Sequence, residues 1–154
     1  TYLYNIFENH EDIILNINAR TLDNLKSFIE EKRSCSGKSD SVNIKELAHF
    51  YVAFASANYN CWNAIFEFHA PIDFATPKWY EEKTQELFKI IENTLDGILC
   101  NKEDLEKYAK IIWAGIHGIC LLNIKKKLNI NGVKKVETLT DLLIENYLYG
   151  AQNK

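Results

Sequence analysis

The sequence predicts an all-α fold, on three observations. Apolar residues recur every three or four positions through most of its 154 residues, the period of a helix with one face turned inward. Only six Gly and two Pro punctuate it, too few for the many turns of a strand-rich fold. No stretch alternates apolar and polar residues for long enough to make a convincing strand. The expectation is a single domain of about six helices, with a core that needs no metal or disulfide staple.

The first helix opens at Asn9, a residue type suited to an N-cap, with Glu11 and Asp12 in the first turn. It runs to about Lys32 and sets Ile14, Ile17, Leu25 and Phe28 near one face. A polar loop, Ser34 to Ser41, contains Gly37. Asn43 with Glu46 three residues on reads as a capping box, followed by Leu47, Tyr51, Phe54 and Ala55 at helical spacing. A short segment from Cys61 to Phe68 carries Trp62, Ile65 and Phe66. Thr76-Pro77 reads as an N-cap and a first helical position. The helix after it has the cleanest period in the chain: Tyr80, Thr84, Leu87, Phe88, Ile91, Leu95 and Ile98.

Asn101 with Asp104 opens a fifth helix, expected to reach about Leu128 and apolar on nearly all sides between Ile111 and Leu122. The last helix places Leu139, Leu142, Leu143, Asn146 and Tyr147 on one stripe, with Gly150 as its C′ stop. These two helices carry more apolar surface than a small monomer covers. A homodimer formed through Gly115, Gly118, Ile119, Leu122, Leu139, Leu142, Leu143 and Tyr147 would remove it from water. The two helix-interior glycines, each costing up to about 1 kcal/mol relative to Ala, fit a close approach of another helix or a ligand. Lys125, Lys126 and Lys127 complement the negative end of the fifth helix.

Composition excludes several function classes. A net charge of -3 argues against this stretch alone gripping nucleic acid, since phosphate neutralisation needs a cationic face. Cys35, Cys61, Cys100 and Cys120 stand singly, so neither a zinc knuckle nor a disulfide framework is expected, and free thiols in a reducing compartment are. Cys61 and His69 lack a third group to orient them as nucleophile and base, and His49, His69 and Cys61 make no metal-ligand spacing. No catalytic residue, metal or cofactor is therefore expected. The most apolar run, Ile111 to Ile124, is broken by His117 and Asn123 and is too short to span a bilayer, and no signal peptide opens the chain. A cytoplasmic protein without membrane contact follows. The Thr at position 1 and the absence of Met point to a fragment or a processed product.

Two regions carry a family resemblance. Leu3, Tyr4, Phe7, Asn9, Glu11 and Ile13 fit the pattern that closes the helix-turn-helix of TetR/AcrR-type regulators, with His10 where Lys is usual. Far downstream, Trp113-Ala-Gly-Ile-His117-Gly118 is similar to the Trp…His-Gly signature of one effector-domain subclass, the WHG type. Between them Tyr51, Phe54, Ala55, Asn58, Trp62, Phe66, Glu67, Pro77, Trp79 and Tyr80 resemble the middle of that subclass in order and spacing.

The resemblance implies a six-helix effector-binding and dimerisation bundle over residues 9–154, preceded at 1–8 by the end of a recognition helix. It implies a ligand-responsive transcriptional regulator, a repressor, that acts as a homodimer and reads operator DNA through the full-length helix-turn-helix. In that setting Tyr4 gives its hydroxyl to a phosphate, His10 approaches the backbone, and Thr1 and Tyr2 lie nearer the groove. A small apolar effector would sit between the middle helices, lined by Tyr51, Phe54, Trp62, Phe66, Phe88 and Trp113, with His117 presenting a ring nitrogen. Core packing is the plainer role for any one of these aromatics. The alternative is a helical protein–protein interaction module with a packed interior and no small ligand.

Overall fold

A computed structural model describes residues 7, 9–35, 43–99 and 102–153. They form six α-helices and a 3-10 turn: α1 (His10–Cys35), α2 (Ile44–Ala57), α3 (Tyr59–Glu67), α4 (Lys78–Asp96), the turn at Lys102–Asp104, α5 (Leu105–Ile124) and α6 (Val133–Gln152). There is no strand among the described residues. The all-α expectation holds. The contacts read for Thr1, Tyr2 and Tyr4, and the cap read at Asn101, lie outside the described residues.

Helix starts follow local chemistry. Asn9 caps α1, its side-chain oxygen accepting from the Asp12 backbone N–H at 2.8 Å. The capping box of α2 is complete: Asn43 Oδ1 accepts from the Glu46 N–H at 3.0 Å, and Glu46 Oε2 accepts from the Asn43 N–H at 3.1 Å. At α4 the boundary falls one residue later than expected. Pro77, at φ -61° and ψ 141°, is itself the N-cap, and its carbonyl accepts from the N–H groups of Tyr80 and Glu81. α2 and α3 are separated only by Asn58, so α3 begins two residues before the expected Cys61.

Helix ends depart further from expectation. α5 stops at Ile124 rather than near Leu128, because Lys126 turns into the left-handed region at φ 55°. The Lys127 N–H then reaches the Leu122 carbonyl, and the Lys126 N–H reaches that of Asn123, both at 2.8 Å. This is the Schellman closure, with lysine where glycine is usual. α6 in contrast runs through Gly150 to Gln152. Leu148 and Ala151 pack on the core there, and Gln152 Nε2 donates to the Ile98 carbonyl at 3.4 Å. Tertiary contact extends the helix past the residue that would have ended it.

The helices pack in a bundle with α2 and α5 inside. α2 lies against α1, α3, α4, α5 and α6, and α5 against α2, α4 and α6. The core they share includes Val52, Ala55, Trp62, Leu95, Ile112 and Ile144, all essentially without exposure. α1 closes the bundle over α2, α3 and α4. The left-handed Lys126 costs roughly 1–2 kcal/mol relative to a residue without a Cβ. Lys126→Gly is therefore expected to raise the unfolding free energy by about 1 kcal/mol, checked by urea denaturation against the wild type.

Candidate functional site

Four helices bring their aromatic residues together. Helical spacing of four stacks Trp62 on Phe66 in α3, ring centroids 5.3 Å apart, and Trp113 on His117 in α5, also 5.3 Å apart. The two pairs face each other: Phe66 lies 4.1 Å from His117 and 5.9 Å from Trp113. Phe88 of α4 meets the edge of Trp113 at 5.4 Å. Tyr51 of α2 stands against Trp62 at 6.2 Å. Of the seven aromatic residues expected to line a pocket, only Phe54 is turned elsewhere, toward Phe28 of α1 at 5.8 Å.

A chain of hydrogen bonds runs through this cluster. Trp62 Nε1–H donates to the Tyr51 hydroxyl at 2.9 Å, and the hydroxyl lies 3.0 Å from His117 Nδ1. The indole can only donate, so the Tyr51 proton is left to donate to His117. That makes Nδ1 an acceptor and puts the imidazole proton on Nε2. Charging the ring would aim an N–H from Nδ1 at the Tyr51 oxygen and deprive the Tyr51 proton of its acceptor. Burial acts in the same direction and lowers the His117 pKa below its ordinary 6.5. Burial likewise drives the Tyr51 hydroxyl above its usual range, opposed in part by the Trp62 donor. The Cys120 thiol on the same helix as His117 is pushed up to about 12 by burial, so it stays protonated and inert.

Two cavities flank this chain, of about 60 Å³ and about 100 Å³. They share Leu25 of α1, Tyr51 of α2, Leu87 and Ile91 of α4, and Trp113 of α5, whose side chains form the partition. Trp62, Phe66 and Phe88 line the larger one, whereas neither Phe54 nor His117 lines either. His117 acts on the cavities through Tyr51. No Asp, Glu, Lys or Arg is present in either wall. Walls this apolar disfavour water, and an enclosed cavity of roughly 150 Å³ suffices to bind benzene. Leu25, Leu87 and Ile91 were not expected as lining, although all three sit on the apolar stripes of α1 and α4.

A second surface lies on α5 and α6. Ile111 (52%), Leu122 (44%) and Leu142 (49%) are exposed on these two neighbouring helices. On α5, Ile111, Gly115, Gly118 and Leu122 fall at helical spacing along one edge. A Cβ added at Gly115 would come 2.5 Å from Leu143 Cδ2, so this glycine lets α5 and α6 approach closely. Gly118 faces open space. Ile119, Leu139, Leu143 and Tyr147 are half-buried beside them.

His10 is exposed at the first position of α1. Cys61 is exposed, and His69 donates from Nδ1 to the Glu67 carbonyl at 2.7 Å, so the two form no catalytic pair. His49 is instead 2.7 Å from Asp141 of α6. No group of three metal-ligating side chains occurs among the described residues, and no helix there is long and apolar enough to cross a membrane.

A family model described as "Tetracyclin repressor-like, C-terminal domain" matches residues 44–147, about two thirds of the chain. The chain belongs to this family. A TetR-like C-terminal domain is a regulatory domain and not an enzyme class. The fold is shared with a solved structure described as a protein with unknown function from Rhodococcus sp. RHA1. The TM-score is 0.72 at 16% identity, over 95% of this chain and 75% of that one. No curated protein matches the sequence.

In this TetR-like domain the depressed pKa of His117 has a consequence for stability. The unfolded chain binds a proton near pH 6.5, whereas the folded ring resists it until lower pH. The contribution is thus complete above pH 6.5, declines as pH falls through the gap, and levels off once the folded ring charges. Urea denaturation between about pH 7.5 and pH 5.5 is expected to show a loss of stability in the wild type that is smaller in His117→Gln. Equal losses would place the titration elsewhere.

Proposed function

We propose that this chain is the effector-binding and dimerising part of a TetR-family transcriptional regulator, a repressor that works in the cytoplasm as a homodimer. The observation that carries the reading is the pair of adjoining apolar cavities, walled jointly by Tyr51, Trp113, Leu25, Leu87 and Ile91, inside a domain of this family. A module built only to meet protein partners has no use for such a space. Trp113, His117 and Gly118 support the finer WHG subclass, and Leu3, Tyr4 and Phe7 support a recognition-helix end over residues 1–8.

In this reading an apolar effector enters the cavities and displaces α1, which walls both through Leu25 and continues from the DNA-reading module. Moving α1 changes the separation of the two recognition helices in the dimer and mismatches them to their half-sites. An affinity ratio of a few tens between the two states corresponds to roughly 2 kcal/mol of coupling, enough for a switch. Operator DNA is the partner of the full-length protein, through Thr1, Tyr2, Tyr4 and His10.

Two measurements test the reading. In a thermal-shift screen, uncharged apolar compounds of about benzene size and above are expected to raise the melting temperature by mass action. Leu87→Phe, which fills the partition of both cavities, should abolish the shift while keeping cooperative unfolding; a shift that survives it means binding elsewhere. In sedimentation, the wild type should run as a dimer at micromolar concentration. Leu142→Glu, which places a charge on the exposed α6 stripe, should give a folded monomer. A wild type that sediments as a monomer removes the dimer from the proposal.

A further inference from the structure

α4 carries the cleanest apolar stripe in the chain, yet Leu95, near its C-terminal end, is the only one of its residues to be buried. What the stripe faces accounts for this. Thr84, Leu87, Phe88, Ile90 and Ile91 line the two cavities, and all five are half-buried. The lining that α1 and α2 supply, with Leu22, Leu25, Ile44 and Tyr51 in it, is buried throughout. The cavities are therefore well covered on the α1–α2 side and thinly covered by α4.

On the outer side of that thin wall lies a cleft of about 340 Å³ between α4 and α5. Gln85, Phe88, Lys89 and Glu92 line it from α4, and Glu106 and Lys110 from α5. Phe88 also lines the larger cavity, so its side chain is the wall that cleft and cavity share. Its ring meets the edge of Trp113 at 5.4 Å. Phe66, the half-buried ring that α3 gives to the same cavity, is held among Trp62, Trp113 and His117. Phe88 is the less confined of the two.

The two edges of α4 are fastened differently. Toward α1, Lys26 pairs with Glu86 at 2.8 Å and Lys83 with Asp23 at 2.7 Å, each a modest tie at this exposure. Toward α5, the charges of the cleft pair within their own helices, Lys89 with Glu92 and Lys110 with Glu106. They do not sew α4 to α5. We propose that this cleft is the entrance to the effector cavity and that Phe88 is its door, displaced when the ring turns to another rotamer. This rests on the effector-binding reading above and specifies how that site is reached. A gate raises the barrier to entry and to release alike, and leaves affinity unchanged. Two Lys and two Glu cancel at the mouth, which favours neither sign of ion, and the inner walls carry no charge.

Fluorine relaxation-dispersion NMR of fluorobenzene, run over a concentration series, reads its entry rate, exit rate and Kd together. Gln85→Trp and Lys110→Trp each fill the cleft from one side and leave the cavity alone, since neither residue lines it. Both positions are exposed, so both variants should melt like the wild type. Each is expected to slow entry and exit together by roughly tenfold, an added barrier of about 1.4 kcal/mol, at constant Kd. Phe88→Ala, which removes the door, should raise the entry rate; an unchanged rate there overturns the proposal. Wild-type rates in both Trp variants also overturn it and place the entrance elsewhere, with the effector cavity left standing. Slower entry with unchanged exit overturns it as well, because the cleft then acts on affinity rather than on passage. If fluorobenzene does not bind the wild type at all, the effector cavity falls and the entrance falls with it.

Discussion

The hydroxyl of Tyr51 is the constraint around which the bundle is arranged. It sits on the inner helix α2, accepts from Trp62 of α3 and faces His117 of α5, while its ring walls both cavities. A buried indole N–H and a half-buried imidazole each need a partner, and in this interior one phenol serves both. The demand fixes the rotation of α3 about α2, the face that α5 presents, and the tautomer of His117. It also keeps Tyr51 from swinging into the space beside it. Two hydrogen bonds hold the Tyr51 side chain in place as a wall of both cavities.

The α5–α6 surface has a different origin. α5 is apolar on nearly all sides, yet its neighbours bury fully only the face of Ala109, Ile112, Ile116 and Cys120. The opposite edge keeps Ile111 and Leu122 in contact with water. Gly115 draws α6 against it through Leu143, so the two helices form one continuous sheet of side chains rather than two separate ridges. Leu142 extends that surface across α6. A second copy presenting the same face is the proposed cover, and the two-fold arrangement would turn both pairs of helices into a four-helix core.

Features set by neighbouring residues could be read from the sequence; features set by distant ones could not. The caps at Asn9 and Asn43 are contacts three residues long, and the stripes of α4 and α6 are periodic, so the fold class and the starts of α1 and α2 followed directly. The end of α5 was hidden because Lys126 takes a conformation that glycine usually advertises. The end of α6 was missed because packing overrode Gly150. In the site, Trp62 with Phe66 and Trp113 with His117 were visible as pairs one turn apart. The bond from Tyr51 to His117 joins residues 66 positions apart and has no local signature.

The helix that holds Tyr51 also packs along α6, with the ion pair of Lys45 and Glu145 and the 2.7 Å contact of His49 Nε2 with Asp141 along the seam. One rod thus borders the guest chamber on one flank and props the proposed pairing surface on another. Under the proposed function thermodynamic reciprocity would apply: whatever a guest did to the strength of pairing, pairing would do to the grip on the guest, by the same factor. Dilution would then act as an effector in its own right, and the concentration of the protein would enter its dose–response.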